Sequence, residues 1–75
     1  MSRREDSHAE VVRLLEAARA EASGNWCYLV CQDVEHRLGL SAGDEKALDD
    51  PEYGAALDAL RTILDALDYV RRIGA

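Results

Sequence analysis

The strongest constraint in this sequence is an apolar stripe that begins directly after the single proline. Asp50 and Pro51 are the residue types that start a helix, with Asp at the N-cap and Pro in the first turn. The apolar positions that follow at helical spacing are Tyr53, Ala56, Leu57, Leu60, Leu64 and Leu67, with Ile63 widening the stripe. This pattern predicts a long amphipathic helix that begins at Pro51.

Two earlier segments also have helical signals. Ser7 and Glu10 are spaced as a capping box, and they precede an apolar face of Val11, Leu14, Leu15, Ala18 and Ala22. The Ser-Gly-Asn sequence at 23–25 predicts the end of this first helix. A second helix is predicted over 31–38, and Gly39 is placed to close it in a left-handed conformation.

Three segments leave their local structure open. Residues 25–30 are aromatic and β-favourable, so they form either one brief strand or the start of the second helix. Ser41 is placed to cap a short helical turn that reaches Leu48. Residues 69–73 either continue the last helix or form an edge strand.

The chain has 75 residues, enough for one small core. We expect a flexible N-terminal tail over 1–6 and a single domain over 7–75. The longest unbroken apolar run, 26–31, is far below the roughly 20 residues that span a membrane. The first residues do not form an apolar signal core. We therefore expect a cytoplasmic protein with reduced cysteines and no membrane partner.

Charge is concentrated in one segment. The formal net charge is -6, and residues 44–60 alone contribute -5, because Lys46 stands against six acids. These six residues are Asp44, Glu45, Asp49, Asp50, Glu52 and Asp58, called the acidic patch below. Such asymmetry suggests distinct surfaces, although a run of charge is also the ordinary composition of a solvated face.

Two phrases carry a resemblance to a known family. Residues 34–41 (VEHRLGLS) match the end of a second helix, and residues 64–72 (LDALDYVRR) match a junction between a third helix and a wing. In this order they resemble the winged helix-turn-helix superfamily. The resemblance implies a mostly α fold, a compact three- to four-helix winged-helix-like domain with at most a minimal two-stranded β element.

The same resemblance implies binding to duplex DNA and a role in transcription regulation. Phosphate contacts require basic side chains, and the candidates are Arg37, Arg61, Arg71 and Arg72. The predicted third helix nevertheless starts with three acids and no base between residues 50 and 58. The rival hypothesis is a protein-interaction module whose acidic patch meets a basic protein partner or mimics nucleic-acid phosphates. A homodimer is expected, since it would relieve a marginal core.

Catalysis is the function class least favoured by the sequence. No phosphate-binding glycine loop or paired-carboxylate cleft can be assembled, so no catalytic residues are assigned and we expect a non-enzyme. Cys27 and Cys31 are one helical turn apart, with His36 nearby, but structural zinc needs four ligands and only His8 remains. The two thiols are therefore predicted to lie in the core, and no metal or cofactor is expected.

Overall fold

The computed structural model describes residues 2–74 and consists of two long helical arms packed antiparallel. The elements are helix α1 (Arg3–Glu21), a π turn (Ala22–Trp26), helix α2 (Cys27–Leu38), a 3-10 helix (Glu45–Asp49) and helix α3 (Pro51–Ile73). The first three elements form one continuous arm of 36 residues. At 1.5 Å per residue this arm accounts for the longest dimension of the molecule, 54 Å.

The predicted fold class is wrong. The structure is 88% helical with two long arms, and residues 2–74 contain no strand and therefore no wing. A compact three- to four-helix winged-helix-like domain does not form, because the first two predicted helices fuse into one arm. The third helix folds back along both halves of that arm and contacts α1 and α2 in turn.

The β-favourable segment 25–30 is helical because the helix continues through Gly24 as a π turn and does not end there. Gly24 keeps a negative φ, and the N–H of Cys27 bonds to the carbonyl of Ala22, five residues back. Residues five apart in a regular α-helix point about 140° away from each other, yet Ala22 and Cys27 are both buried. The wider turn acts as a one-residue insertion that aligns the inner faces of α1 and α2.

The chain also stays helical over 69–73, so the alternative of an edge strand is wrong. Helix α3 continues to Ile73, and Gly74 ends it with φ 76° and an N–H that bonds to the Val70 carbonyl at 3.2 Å. Arg71 and Arg72 lie in the last turn, where cations favour the negative end of the helix dipole.

The helix boundaries depend on specific caps. Ser2, not Ser7, caps α1 by accepting a bond of 3.0 Å from the Glu5 N–H, so the first helix begins at Arg3 and includes most of the expected tail. The prediction at Gly39 is confirmed: its φ is 70° and it ends α2. The start at Pro51 is also confirmed, since Asp50 accepts bonds from the two N–H groups of Glu52 and Tyr53.

The connection between the arms has a different cap from the one expected. Asp44, not Ser41, caps the short helix by accepting a bond of 2.9 Å from the Lys46 N–H. Glu35 on α2 accepts a bond of 2.7 Å from the Gly43 N–H. We call this region, where α2, the connection and the start of α3 meet, the turn end of the hairpin.

Two helices enclose only a thin core. The buried apolar residues are Ala22, Cys27, Val34, Ala47, Ala56 and Leu67. A compact protein of this mass would expose about 4,600 Å², whereas the hairpin exposes 5530 Å². Its radius of gyration is 15.9 Å, against about 11 Å for a compact domain of this length. Much apolar surface is therefore left uncovered.

Truncation of two leucines in α3 tests which residues belong to the core. Leu67 is 3% exposed and Leu64, three residues earlier, is 42% exposed. We expect Leu67→Ala to lower the free energy of unfolding by about 2–3 kcal/mol, and Leu64→Ala to lower it by less than about 1 kcal/mol. Urea denaturation at one fixed protein concentration measures both. Equal losses of unfolding free energy in the two variants would contradict the assignment of Leu67, and not Leu64, to the inner face of α3.

Single-residue deletions test the π turn. Deleting Gly24 removes the inserted residue and leaves Ala22 and Cys27 four residues apart, so the inner faces stay aligned. Deleting Ala20 from the regular part of α1 rotates one half of the arm by about 100° against the other. We expect thermal unfolding followed by circular dichroism to stay cooperative in the first variant and to become non-cooperative in the second. Loss of cooperativity on deletion of Gly24, but not on deletion of Ala20, would contradict the interpretation of the π turn as a one-residue insertion.

Candidate functional site

Apart from Glu21, one side of the hairpin carries no charged side chain between Val11 and Leu29 of the long arm or between Ala55 and Ile73 of α3. Helix α3 contributes a row at alternating spacings of four and three residues: Ala55, Ala59, Thr62, Ala66, Tyr69 and Ile73. The long arm contributes Val11, Leu14, Ala18, Trp26 and Leu29, with the same spacing on either side of the π turn. We call these eleven residues the uncharged face.

A contact at the end of the hairpin where α1 begins and α3 ends shows that the two rows share a side. Val11 and Ile73 line one cleft of about 390 Å³ between the start of α1 and the end of α3. The opposite side carries the ion pair between Arg71 and Glu16 at 3.2 Å. Helical periodicity extends this division along the arms, so one side holds most of the charged side chains and the other holds few.

The uncharged face holds most of the large apolar side chains that the hairpin leaves in solvent. Val11, Leu14, Trp26, Leu29, Tyr69 and Ile73 all belong to it and are all exposed. Leu14 is 53% exposed and Trp26 is 47% exposed. Exposed apolar side chains that occur singly are ordinary, but a contiguous row on one side marks an interaction surface.

The π turn is the reason that Trp26 lies on this face. In a regular helix, the residue four positions after Ala22 would point in nearly the same direction, towards α3. The wider turn gives that inner position to Cys27, which is 5% exposed, and turns Trp26 outwards. An isolated π turn is frequent at functional sites, and here it presents the single tryptophan of the chain to solvent.

The cleft lies where α1 begins and α3 ends, which we call the open end of the hairpin. One polar contact between the arms fixes it. The Nε2 of His8 donates to the carbonyl oxygen of Val70 at 2.9 Å. This carbonyl in the last turn of α3 also accepts from the Gly74 N–H at 3.2 Å, so it has two donors. The bond from His8 holds the start of α1 against the end of α3 while the apolar walls of the cleft stay accessible.

The four arginines that the sequence nominated for DNA do not meet at one place. Arg37 lies at the turn end, Arg61 lies in the middle of α3, and the other two lie at its C-terminal end. Arg37 pairs with Asp50 at 2.6 Å, Arg71 pairs with Glu16, and Arg72 pairs with Asp68 at 3.3 Å. Within residues 2–74, Arg61 has no acid within 4.0 Å.

The acidic patch lies at the turn end and along the first turns of α3. Two of its residues are helix N-caps: Asp44 caps the 3-10 helix and Asp50 caps α3. The hydrogen bond from the Arg37 guanidinium lowers the pKa of the Asp50 carboxyl, although partial burial acts in the opposite direction. The four others, Glu45, Asp49, Glu52 and Asp58, are exposed.

The two thiols lie on the inner and charged sides of the arm. Cys27 is buried and Cys31 is half-buried. Burial raises the pKa of the Cys31 thiol, and the neighbouring Cys27 thiol raises it further. Burial likewise raises the pKa of the Tyr53 hydroxyl, which donates to Glu35 at 3.5 Å. Among the described residues, no three His, Cys, Asp or Glu side chains gather as metal ligands.

Comparison with known proteins gives no relative. No family model, no curated protein and no solved structure matches the chain. In the part of the chain that the structure describes, none of the helices combines the length and the apolar character needed to cross a membrane.

The sequence interpretation missed the uncharged face because it assigned each apolar residue to a single core. The apolar face predicted for the first helix includes Val11, Leu14 and Ala18, whereas the structure leaves all three exposed. A signal was present in the sequence: the row from Ala55 to Ile73 is uncharged at every position and lies beside the predicted stripe. Two adjacent apolar rows on one helix indicate that the helix packs against two different surfaces.

The pair of Asp50 and Arg37 gives the stability of the hairpin an acid-sensitive component. Because the pKa of Asp50 is lower in the folded chain, its contribution is present above the unfolded pKa and is lost as pH falls through the folded one. Asp50→Asn keeps an N-cap of equal quality but removes the charge. We expect the variant to lose less free energy of unfolding than the wild type between pH 7 and pH 3, measured by urea denaturation. If the free energy of unfolding fell equally with pH in both proteins, the proposed contribution of the Asp50 charge would be contradicted.

Proposed function

We propose that this chain is a non-catalytic protein-interaction module that assembles with a second copy of itself through the uncharged face. Two hairpins that meet on this side form a four-helix bundle, the smallest helical architecture with an enclosed core. The observation that carries the proposal is the row of exposed large apolar side chains on one side of an elongated, thinly packed hairpin.

The size of the face fits a stable dimer. The hairpin measures 54 Å by 17 Å, so two faces in full contact would bury about 1,800 Å², within the usual range for specific protein interfaces. Burial on this scale would remove the excess of exposed apolar surface that distinguishes the single hairpin from a compact domain. The dimer would also supply the core that two helices cannot supply alone.

A second copy is favoured over an unrelated partner because the face complements itself. Its one charged residue is Glu21, which is exposed and accepts a hydrogen bond from Asn25, and the face combines large side chains with alanines that leave room for them. A twofold interface requires one surface to fit its own copy, and a row that is uncharged except at Glu21 suits such a contact.

Duplex DNA has less support as a ligand. That hypothesis depended on a third helix free to enter the major groove, whereas α3 packs along its length against the other arm. Three of the four candidate arginines are paired with acids, and the end of the hairpin where α3 begins is strongly acidic. A surface of this charge repels phosphates.

The proposal predicts a dimer that one charge can disrupt. We expect sedimentation equilibrium of the wild type to give twice the chain mass of 8.3 kDa. Leu14→Glu places a carboxylate at the interface in both copies, so dimerisation should weaken by at least about a hundredfold. Leu14 is half-exposed in the hairpin, so the variant should keep its helix content by circular dichroism.

Ala20→Glu is the matched control. It adds the same charge to the same helix at an exposed position on the opposite side, and it should sediment as the wild type does. A wild type that stays monomeric over the micromolar to millimolar range would contradict the proposal. Equal weakening by both variants would contradict the assignment of the face.

A further inference from the structure

Resting on the proposed dimer, we propose that the two copies pair antiparallel, with the turn end of each hairpin beside the open end of the other. In this arrangement Trp26 of each copy packs against Leu14 of the second copy. The inference concerns the orientation of the copies, which the apolar contact alone leaves undetermined.

The orientation follows from the distribution of charge along the hairpin. Residues 31–58 form the turn end and carry eight acids against Arg37 and Lys46, a net charge of -6. The remaining described residues, 2–30 and 59–74, carry seven acids and seven arginines, a net charge of zero. The whole charge of the molecule therefore lies at one end of a rod 54 Å long.

A parallel pair would bring the two acidic ends together. Packed helices lie about 8–10 Å apart, which is close to the screening length of about 8 Å at physiological ionic strength, so the repulsion would be only partly screened. An antiparallel pair separates the acidic ends by nearly the length of the rod, where screening removes their interaction. It also sets each acidic end beside the arginines of the neutral end.

The two arms are centred at nearly the same level, which defines the contacts in the antiparallel pair. The middle of the long arm lies between Ala20 and Glu21, and the middle of α3 lies at Thr62. A twofold axis at this level places each long arm over its own copy in the opposite direction, with the Glu21 side chains of the two copies near the axis. Trp26 then meets Leu14 of the second copy, Leu29 meets Val11, and Tyr69 meets the small Ala55.

Distances between spin labels on single cysteines test the orientation. In a Cys27→Ala/Cys31→Ala background, Ala42→Cys places one label at the turn end of each copy and Ser23→Cys places one near the middle of the arm. Both positions are exposed and lie off the uncharged face. By pulsed electron paramagnetic resonance we expect about 45–55 Å between the Ala42 labels and less than about 30 Å between the Ser23 labels.

The two labels separate failure of the orientation from failure of the dimer. Short distances at both positions mean a parallel pair and would overturn the antiparallel arrangement. The absence of any intermolecular distance at Ser23 means that no dimer forms, and the proposed function then fails with the inference. Sedimentation of the cysteine-free background, compared with that of the natural chain, establishes that the two alanines leave assembly unchanged.

The natural chain offers a second measurement that does not depend on the cysteine-free variant. Lys46 is the single lysine of the chain and lies at the turn end. Carbodiimide cross-linking of mixed ¹⁴N and ¹⁵N chains identifies links between copies by mass spectrometry. We expect Lys46 to link to the acids in the first turns of α1 of the second copy, Glu5, Asp6 and Glu10. Links to residues 44–52 of the second copy, or none to its α1, would overturn the orientation.

Discussion

The structure depends on the packing of α3 against one continuous helical arm. Two helices in contact can each bury only one stripe, so the core is limited to small residues and a few larger ones such as Val34 and Leu67. All other apolar side chains must remain in solvent or find a second contact. In this chain six of the ten large apolar side chains left exposed lie on the uncharged face, and this arrangement makes self-association the favoured explanation.

The π turn connects this constraint to the proposed function. Without an inserted residue, the inner faces of α1 and α2 would align only if Trp26 were turned towards α3, where a large indole would separate the arms. The insertion gives the inner position to the small Cys27 and moves the indole to the uncharged face. One local irregularity thus allows close packing within the hairpin and also supplies the largest side chain of the proposed interface.

The sequence predicted individual helices better than their arrangement. The start at Asp50-Pro51 and the end at Gly39 depend on local hydrogen bonds that the residue types alone specify, and both are confirmed. The fusion of α1 and α2 could not be predicted, because Ser23-Gly24-Asn25 favours a helix end locally and is overridden by packing against α3. The uncharged row from Ala55 to Ile73 was present in the sequence, but a single-core interpretation assigned it no separate role.

The emission spectrum of Trp26 tests the central claim most directly, since this residue is the single tryptophan and lies on the uncharged face. Its indole is about half-exposed in the hairpin and becomes buried when a second copy covers that face. The account predicts that emission shifts to shorter wavelength, and that quenching by acrylamide weakens, as the protein concentration rises through the dimer dissociation constant. An indole that stays solvent-exposed at every concentration, in a chain that remains helical by circular dichroism, would contradict the account.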